Sequence, residues 1–172
     1  MYIRNVKSIK MGDCGADGAM GAALDTVFED IVKDTCMIDF PKPGVSFITP
    51  DDKPNPIVAL IDDSNAVMKI SFSTFNCSSA LKATLFGGEV VLGKWSAPTT
   101  RVLKNQSVEI TSGDTDGKHE VATAPKVIVV PGYSGKYNKT GMAEISVDMY
   151  VLVPKDALGA DLSPFQSAEV SV

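Results

Sequence analysis

His119 is the only histidine in the chain, so any imidazole-based proton transfer or nucleophile activation must run through it. Its candidate partners are Ser134, Cys77 and Asp148. None of the three sits in a local nucleophile signature such as GxSxG, and no acid, base and nucleophile set converges, so the chain reads as a non-enzyme with no catalytic residue to assign. Asp114-Thr115-Asp116-Gly117 has the opening of a calcium loop. Lys118 and His119 follow it, and no acidic residue comes at the spacing of the closing ligand, so the stretch reads as a turn. Gly132-Tyr133-Ser134-Gly135-Lys136 is superficially a phosphate loop, but the GxxxxGK[ST] pattern would need Gly at 130 and Ser or Thr at 137, where the chain has Val130 and Tyr137. Cys14, Cys36 and Cys77 are odd in number, far apart and without a CxxC pair, which argues against a disulfide framework or a zinc site. No metal-binding or cofactor-binding residues, and no cofactor, are expected. Tyr133 and Tyr137, near Lys136 and Lys139, have two readings: stacking on nucleotides or sugars, or cross-strand bracing of a hairpin.

The scaffold that positions these residues is bounded by size and charge. The 172 residues fit one domain, residues 1–172, large enough to bury about 70% of the surface of its unfolded form. Sixteen Lys and Arg against 21 Asp and Glu leave a net charge of −5, which argues against a protein that grips nucleic acid through its phosphates. The amino terminus has no continuous apolar run, and no stretch approaches a membrane span. Folding in the cytoplasm without membrane anchoring is the expectation.

Strand periodicity dominates. Lys126–Val130 and Ala143–Val153 form the expected central hairpin, with turn chemistry in Asn138-Lys139-Thr140-Gly141. Ile145, Val147, Met149, Val151 and Val153 alternate with Glu144, Ser146, Asp148 and Tyr150, so the first set is assigned to the core and the second to the opposite face. Tyr2–Ile9 alternates weakly, as an edge strand or arm would. Residues 12–21 are glycine-dense and read as a flexible or turn-rich segment, either a surface loop or a piece ordered by a partner. Leu24, Val27, Phe28 and Ile31 fit a helical stripe, although their types also suit a strand. Thr35–Phe40 and Val67–Thr74 read as strands, the latter with Met68, Ile70 and Phe72 inward.

Between them, residues 41–66 carry Pro43, Pro50, Pro54 and Pro56, which forbid a long helix and block ladder donors. An extended excursion from the sheet is expected, either a partner-contacting arm, with Pro43, Gly44, Phe47, Asp51, Asp52 and Pro54 as candidate contact residues, or a decorated hairpin. Ser78–Phe86 is the one clear helix, capped at its start by Asn76, Ser78 or Ser79 and stopped by Gly87-Gly88. Glu89–Lys94 reads as a strand ending at Trp95-Ser96-Ala97-Pro98, with the lone Trp95 in core or interface packing. Arg101–Thr111 and Glu120–Thr123 flank the turn at Ser112–Gly117. The tail 155–172 loses periodicity and reads as a loosely attached terminus or an arm that docks on a neighbour. Together these elements predict a mainly β protein: a β-sandwich or partial β-barrel with one short flanking helix, about residues 78–86, and a long extended loop.

The order of these features resembles the major tail tube proteins of long-tailed bacteriophages. The residues that carry the resemblance are LFGGEV followed by KWSAP, and then APKVIVVPGYSGKYNKTGMAEISVDMYVLVP. The resemblance implies a structural virion protein whose subunits form stacked, hexameric rings, the inner sheets joining around a channel that passes DNA. It implies self-association, contacts with tape-measure, tail-tip and terminator proteins, DNA met only in transit, and assembly in the host cytoplasm into the phage tail. The fold would be related to the ring protein of type VI secretion. In that setting Glu144, Ser146 and Asp148 would face the lumen, where acidic side chains repel DNA, and the 41–66 arm would bridge subunits. Two other readings share the composition. One is a capsid decoration or tail-completion protein. The other is a carbohydrate-binding sandwich using Trp95, Tyr133 and Tyr137 as platforms, which predicts exposed aromatics gathered in one groove.

Overall fold

A computed structural model describes residues 5–49, 55, 58–62, 67–100, 103–135 and 141–171. Among the described residues, twelve strands and one helix follow in chain order. They are β1 (Val6–Asp13), β2 (Thr26–Phe28), β3 (Met37–Asp39), β4 (Gly44–Ile48), β5 (Val58–Asp62), β6 (Lys69–Thr74), α1 (Ser79–Phe86), β7 (Glu89–Val91), β8 (Lys94–Ser96), β9 (Asn105–Ser112), β10 (Lys118–Ser134), β11 (Glu144–Val151) and β12 (Gln166–Ser171). The protein is mainly β, with one short helix, as its alternating sequence requires.

The organising strand is β10, 17 residues long, against a usual length of about five or six. It joins into one strand what the sequence divides into Glu120–Thr123 and Lys126–Val130. Pro125 lies at the junction and offers no N–H. There the register with β9 slips, between Ala124 and Val127. One edge of β10 carries β9; the other carries β12 along Lys118–Thr123 and then β11 along Val127–Ser134. The expected hairpin is therefore present, paired from Val127↔Val151 to Ser134↔Glu144. Most of its expected turn, residues 138–140, lies outside the described residues, as does Tyr137.

The sheet runs β2-β1-β9-β10-β11-β6-β3 and curls so that the segment after β2 meets β6. Val32 N–H donates to Ser73 O at 2.8 Å and Phe75 N–H donates to Asp30 O at 3.0 Å. Phe28 and Phe72 meet edge to face, with centroids 4.7 Å apart. This is a partial barrel that stops short of closure. Its concave side holds the core: Ile9 and Met11 from β1, Val108 and Ile110 from β9, and Ile145, Val147 and Met149 from β11, with Leu81 and Leu85 of α1 covering one end. The helix starts where Ser78 Oγ accepts Leu81 N–H at 3.3 Å and stops at Gly87 and Gly88, whose φ values of 78° and 92° suit glycine.

Several sequence expectations are corrected. β11 ends at Val151, and Val153 is 49% exposed, because the chain turns off the sheet before the alternation in sequence runs out. The opening strand spans Val6–Asp13 and is flanked on both sides, by β2 and β9; the apolar partners that anchor it, Ile9 and Met11, come late in the run. Glu89–Lys94 is not one strand: Leu92 and Gly93, at φ 50° and 78°, form a type I′ turn that folds β8 back on β7. The tail is neither loose nor reaching for a neighbour over Gln166–Ser171, because it pairs with β10 of its own chain from Lys118↔Ser171 to Thr123↔Gln166.

Candidate functional site

The structure places the chemistry-bearing residues apart along the sheet. His119 and Ser134 stand near opposite ends of β10, which at about 3.3 Å per residue separates them by roughly 50 Å, so they form no dyad. His119 Nδ1 lies 3.4 Å from Asp114 Oδ1, and Lys7 Nζ lies 3.2 Å from Asp114 Oδ2. The Asp114 carboxylate thus closes the turn region through its ion pair with Lys7. The turn itself is Thr115–Lys118, with Thr115 N–H donating to Lys118 O at 2.7 Å and positive φ at Asp116 and Gly117. Among the described residues no cluster of three or more His, Cys, Asp or Glu is arranged to hold a metal. The three cysteines are free thiols. Burial pushes Cys36 up to about 11.

Three surfaces carry the residues singled out by the sequence. The first is the convex face of β6, β11 and β10. Glu144, Ser146, Asp148 and Tyr150 share it, as the alternation predicts, beside Lys69, Ser71 and Ser73 of β6. Asp148 is not a free negative charge: Lys69 Nζ lies 3.0 Å from its Oδ1. The hydrogen bond to Asp148, together with its charge, raises the lysine above its ordinary range. This partner comes from the neighbouring strand, and the acidic pattern of β11 alone gives no hint of it.

The second surface is the arm. Val45, Phe47, Ala59 and Ile61 share one face of the β4–β5 ladder and Ser46, Ile48, Val58 and Leu60 the other, paired from Gly44↔Asp62 to Ile48↔Val58. Every residue of both strands is exposed. Phe47 is 63% exposed and Ile61 66%. Pro43 and Gly44 sit exposed at its base. Asp51, Asp52 and Pro54 lie outside the described residues.

The third surface was only half legible in the sequence. Trp95 and Tyr133 line one shallow groove of about 350 Å³ with Phe86, Pro98 and Pro131. Three elements make it: the end of α1, the fold-back of β8 and the far end of β10. Trp95 Nε1–H donates to Gly87 O at 2.9 Å, which fixes the indole against the helix terminus, and its ring meets Phe86 at 5.9 Å between centroids. Lys82 Nζ stands 4.4 Å from the Tyr133 ring centroid and 5.9 Å from that of Trp95. An ammonium over two rings is attracted by their quadrupoles, so the groove has an aromatic floor and a cationic rim. Trp95 and Tyr133 were singled out by type; Phe86, Pro98 and Lys82 join them only because the β7–β8 turn reverses the chain onto the helix end.

No protein-family model matches the chain, and no curated protein sequence is significantly similar to it.

Proposed function

We propose that the chain is a self-assembling structural subunit that forms stacked rings in a phage-type tail tube. The observation that carries this reading is the arm. A two-stranded ladder is at best marginally stable alone in water, and this one exposes apolar side chains on both faces. Surfaces of that kind are covered by a partner. Among the described residues β3 and β12 each have one edge without a strand partner, which favours the same conclusion, since joining sheets between copies removes such edges. Glu144, Ser146 and Asp148 would then face the channel, with Glu144 supplying more of the repulsion toward DNA than Asp148, whose charge Lys69 offsets. Negative-stain electron microscopy of the concentrated protein tests the proposal. Rings or tubes of regular repeat are expected; monomers at every concentration, with or without tail-tip or tape-measure partners, would overturn it.

A carbohydrate-binding reading is favoured by one specific observation, the gathering of Trp95 and Tyr133 in a single groove, where rings stack on sugar faces. It predicts saturable quenching or enhancement of the Trp95 emission by oligosaccharides.

A further inference from the structure

We propose that the groove between α1, β8 and β10 is a receptor for a proline-rich, acidic segment, and that the occupant is Pro50-Asp51-Asp52-Lys53-Pro54-Asn55-Pro56 of a second copy of this chain. The inference deepens the self-assembly reading and rests on it for its biological setting, although the binding event can be measured without any tube.

The groove supplies the first half of the argument. Its walls are Phe86, Trp95 and Tyr133 together with the rings of Pro98 and Pro131. Aromatic-lined grooves, here built on the tilted Phe86–Trp95 pair, are what extended proline-rich segments dock on, because the pyrrolidine rings are flat, apolar and already restricted in φ. Such a ligand loses little conformational entropy on binding. The rim is cationic: the Lys82 ammonium is held over both rings at 4.4 and 5.9 Å. A rim of this sign favours a segment carrying carboxylates next to its prolines.

The chain itself carries the other half. Within residues 50–56 stand three prolines and the adjacent Asp51 and Asp52, and the X-Pro steps bias their preceding residues toward extended backbone. This stretch joins β4 to β5, whose described residues are exposed throughout.

Topology sets the arm's root apart from the groove within one copy and so favours a contact between copies. The chain leaves β3 past Asp39, which pairs with Lys69 at the start of β6, and it re-enters the sheet at that same end. The groove lies at the other end. Pro131 and Gly132 pair with Val147 and Ser146, which pair in turn with Phe72 and Ser73, close to the end of β6. Root and groove therefore sit at opposite ends of the sheet. An arm of one copy meeting the groove of the next is a head-to-tail contact, the kind that generates rings or filaments.

The lone Trp95 makes the test direct. A synthetic peptide spanning residues 48–58 is titrated into the full-length protein at low concentration and low salt, and Trp95 emission is read. A saturable change is expected. It should weaken about tenfold or more with Lys82→Glu, a substitution at a half-buried helix position outside the core cluster, and recover when the peptide carries Asp51→Lys and Asp52→Lys. A peptide with Pro54 and Pro56 changed to Ala should bind less well than the parent. No emission change with the parent peptide, or a change indifferent to both the charge reversal and the prolines, overturns the inference. So does saturation by oligosaccharide with no effect of peptide, which transfers the groove to the carbohydrate reading. Peptide binding without rings or tubes in the microscope sinks the tail-tube proposal and leaves the groove standing; tubes without peptide binding do the reverse.

Discussion

Val147 and Val153 carry the same side chain and the same phase in the alternating run, yet the first is fully buried and the second is 49% exposed. Truncating each to Ala separates the pattern from the fold. At Val147 the loss of two methyl groups removes about 1.6 kcal/mol of transfer free energy at roughly 0.8 per carbon. A residual cavity of about 40 Å³ adds about 1 kcal/mol, giving about 2.5 kcal/mol in all. At Val153 about half the transfer term applies and solvent fills the space, so the loss is about 0.8 kcal/mol or less. For a domain of this size 1 kcal/mol moves Tm by about 2–4 °C. Val147→Ala should therefore melt about 5–10 °C below the parent and Val153→Ala no more than about 3 °C below it. Urea titrations followed by circular dichroism at two protein concentrations give the free energies and show whether self-association contributes. Equal losses at the two sites, or a larger loss at Val153, would refute the placement of the strand end at Val151.

Three further outcomes follow from particular groups. Cys36 titrates near 9.0 when unfolded and about 11 in its buried site, so the folded state retains a proton that the unfolded state releases. Its contribution is whole below pH 9 and is lost as the pH rises through about 11; urea midpoints of the parent should fall more steeply over that window than those of Cys36→Ala, and parallel profiles would count against it. Leu92, fully exposed at φ 50° in the β7–β8 turn, should be improved upon by Asn, which tolerates the left-handed region, with a gain of about 0.5–1 kcal/mol in thermal or chemical unfolding. Under the tube proposal, Glu144→Lys with Asp148→Lys should leave assembled tubes visible by microscopy while slowing or blocking DNA passage; infectivity equal to that of the parent speaks against a lumenal position for this face.

The mainly β class of the protein and the direction of its strand faces were legible in the order of residues alone. Period-two alternation is a local property, so Ile145, Val147, Met149 and Val151 against Glu144, Ser146 and Asp148 could be sorted without knowing any neighbour. The α1 boundaries were legible for the same reason, since Ser78 and Gly87-Gly88 act within one turn of the helix. The arm was legible as an excursion because prolines exclude ladder donors wherever they stand.

Relations that depend on which strand lies beside which were not legible there. The union of two apparent strands into β10 depends on β9 pairing on both sides of Pro125, while on the other edge β11 takes over where β12 ends. The tail has weak periodicity because β12 is exposed on both faces and is held through its backbone, leaving no apolar signature to read. Lys69 neutralises Asp148 from an adjacent strand, and the groove under Lys82 exists because a type I′ turn brings Trp95 back onto the end of α1. Local preferences fix which way each side chain points; backbone pairing between distant segments fixes what it meets.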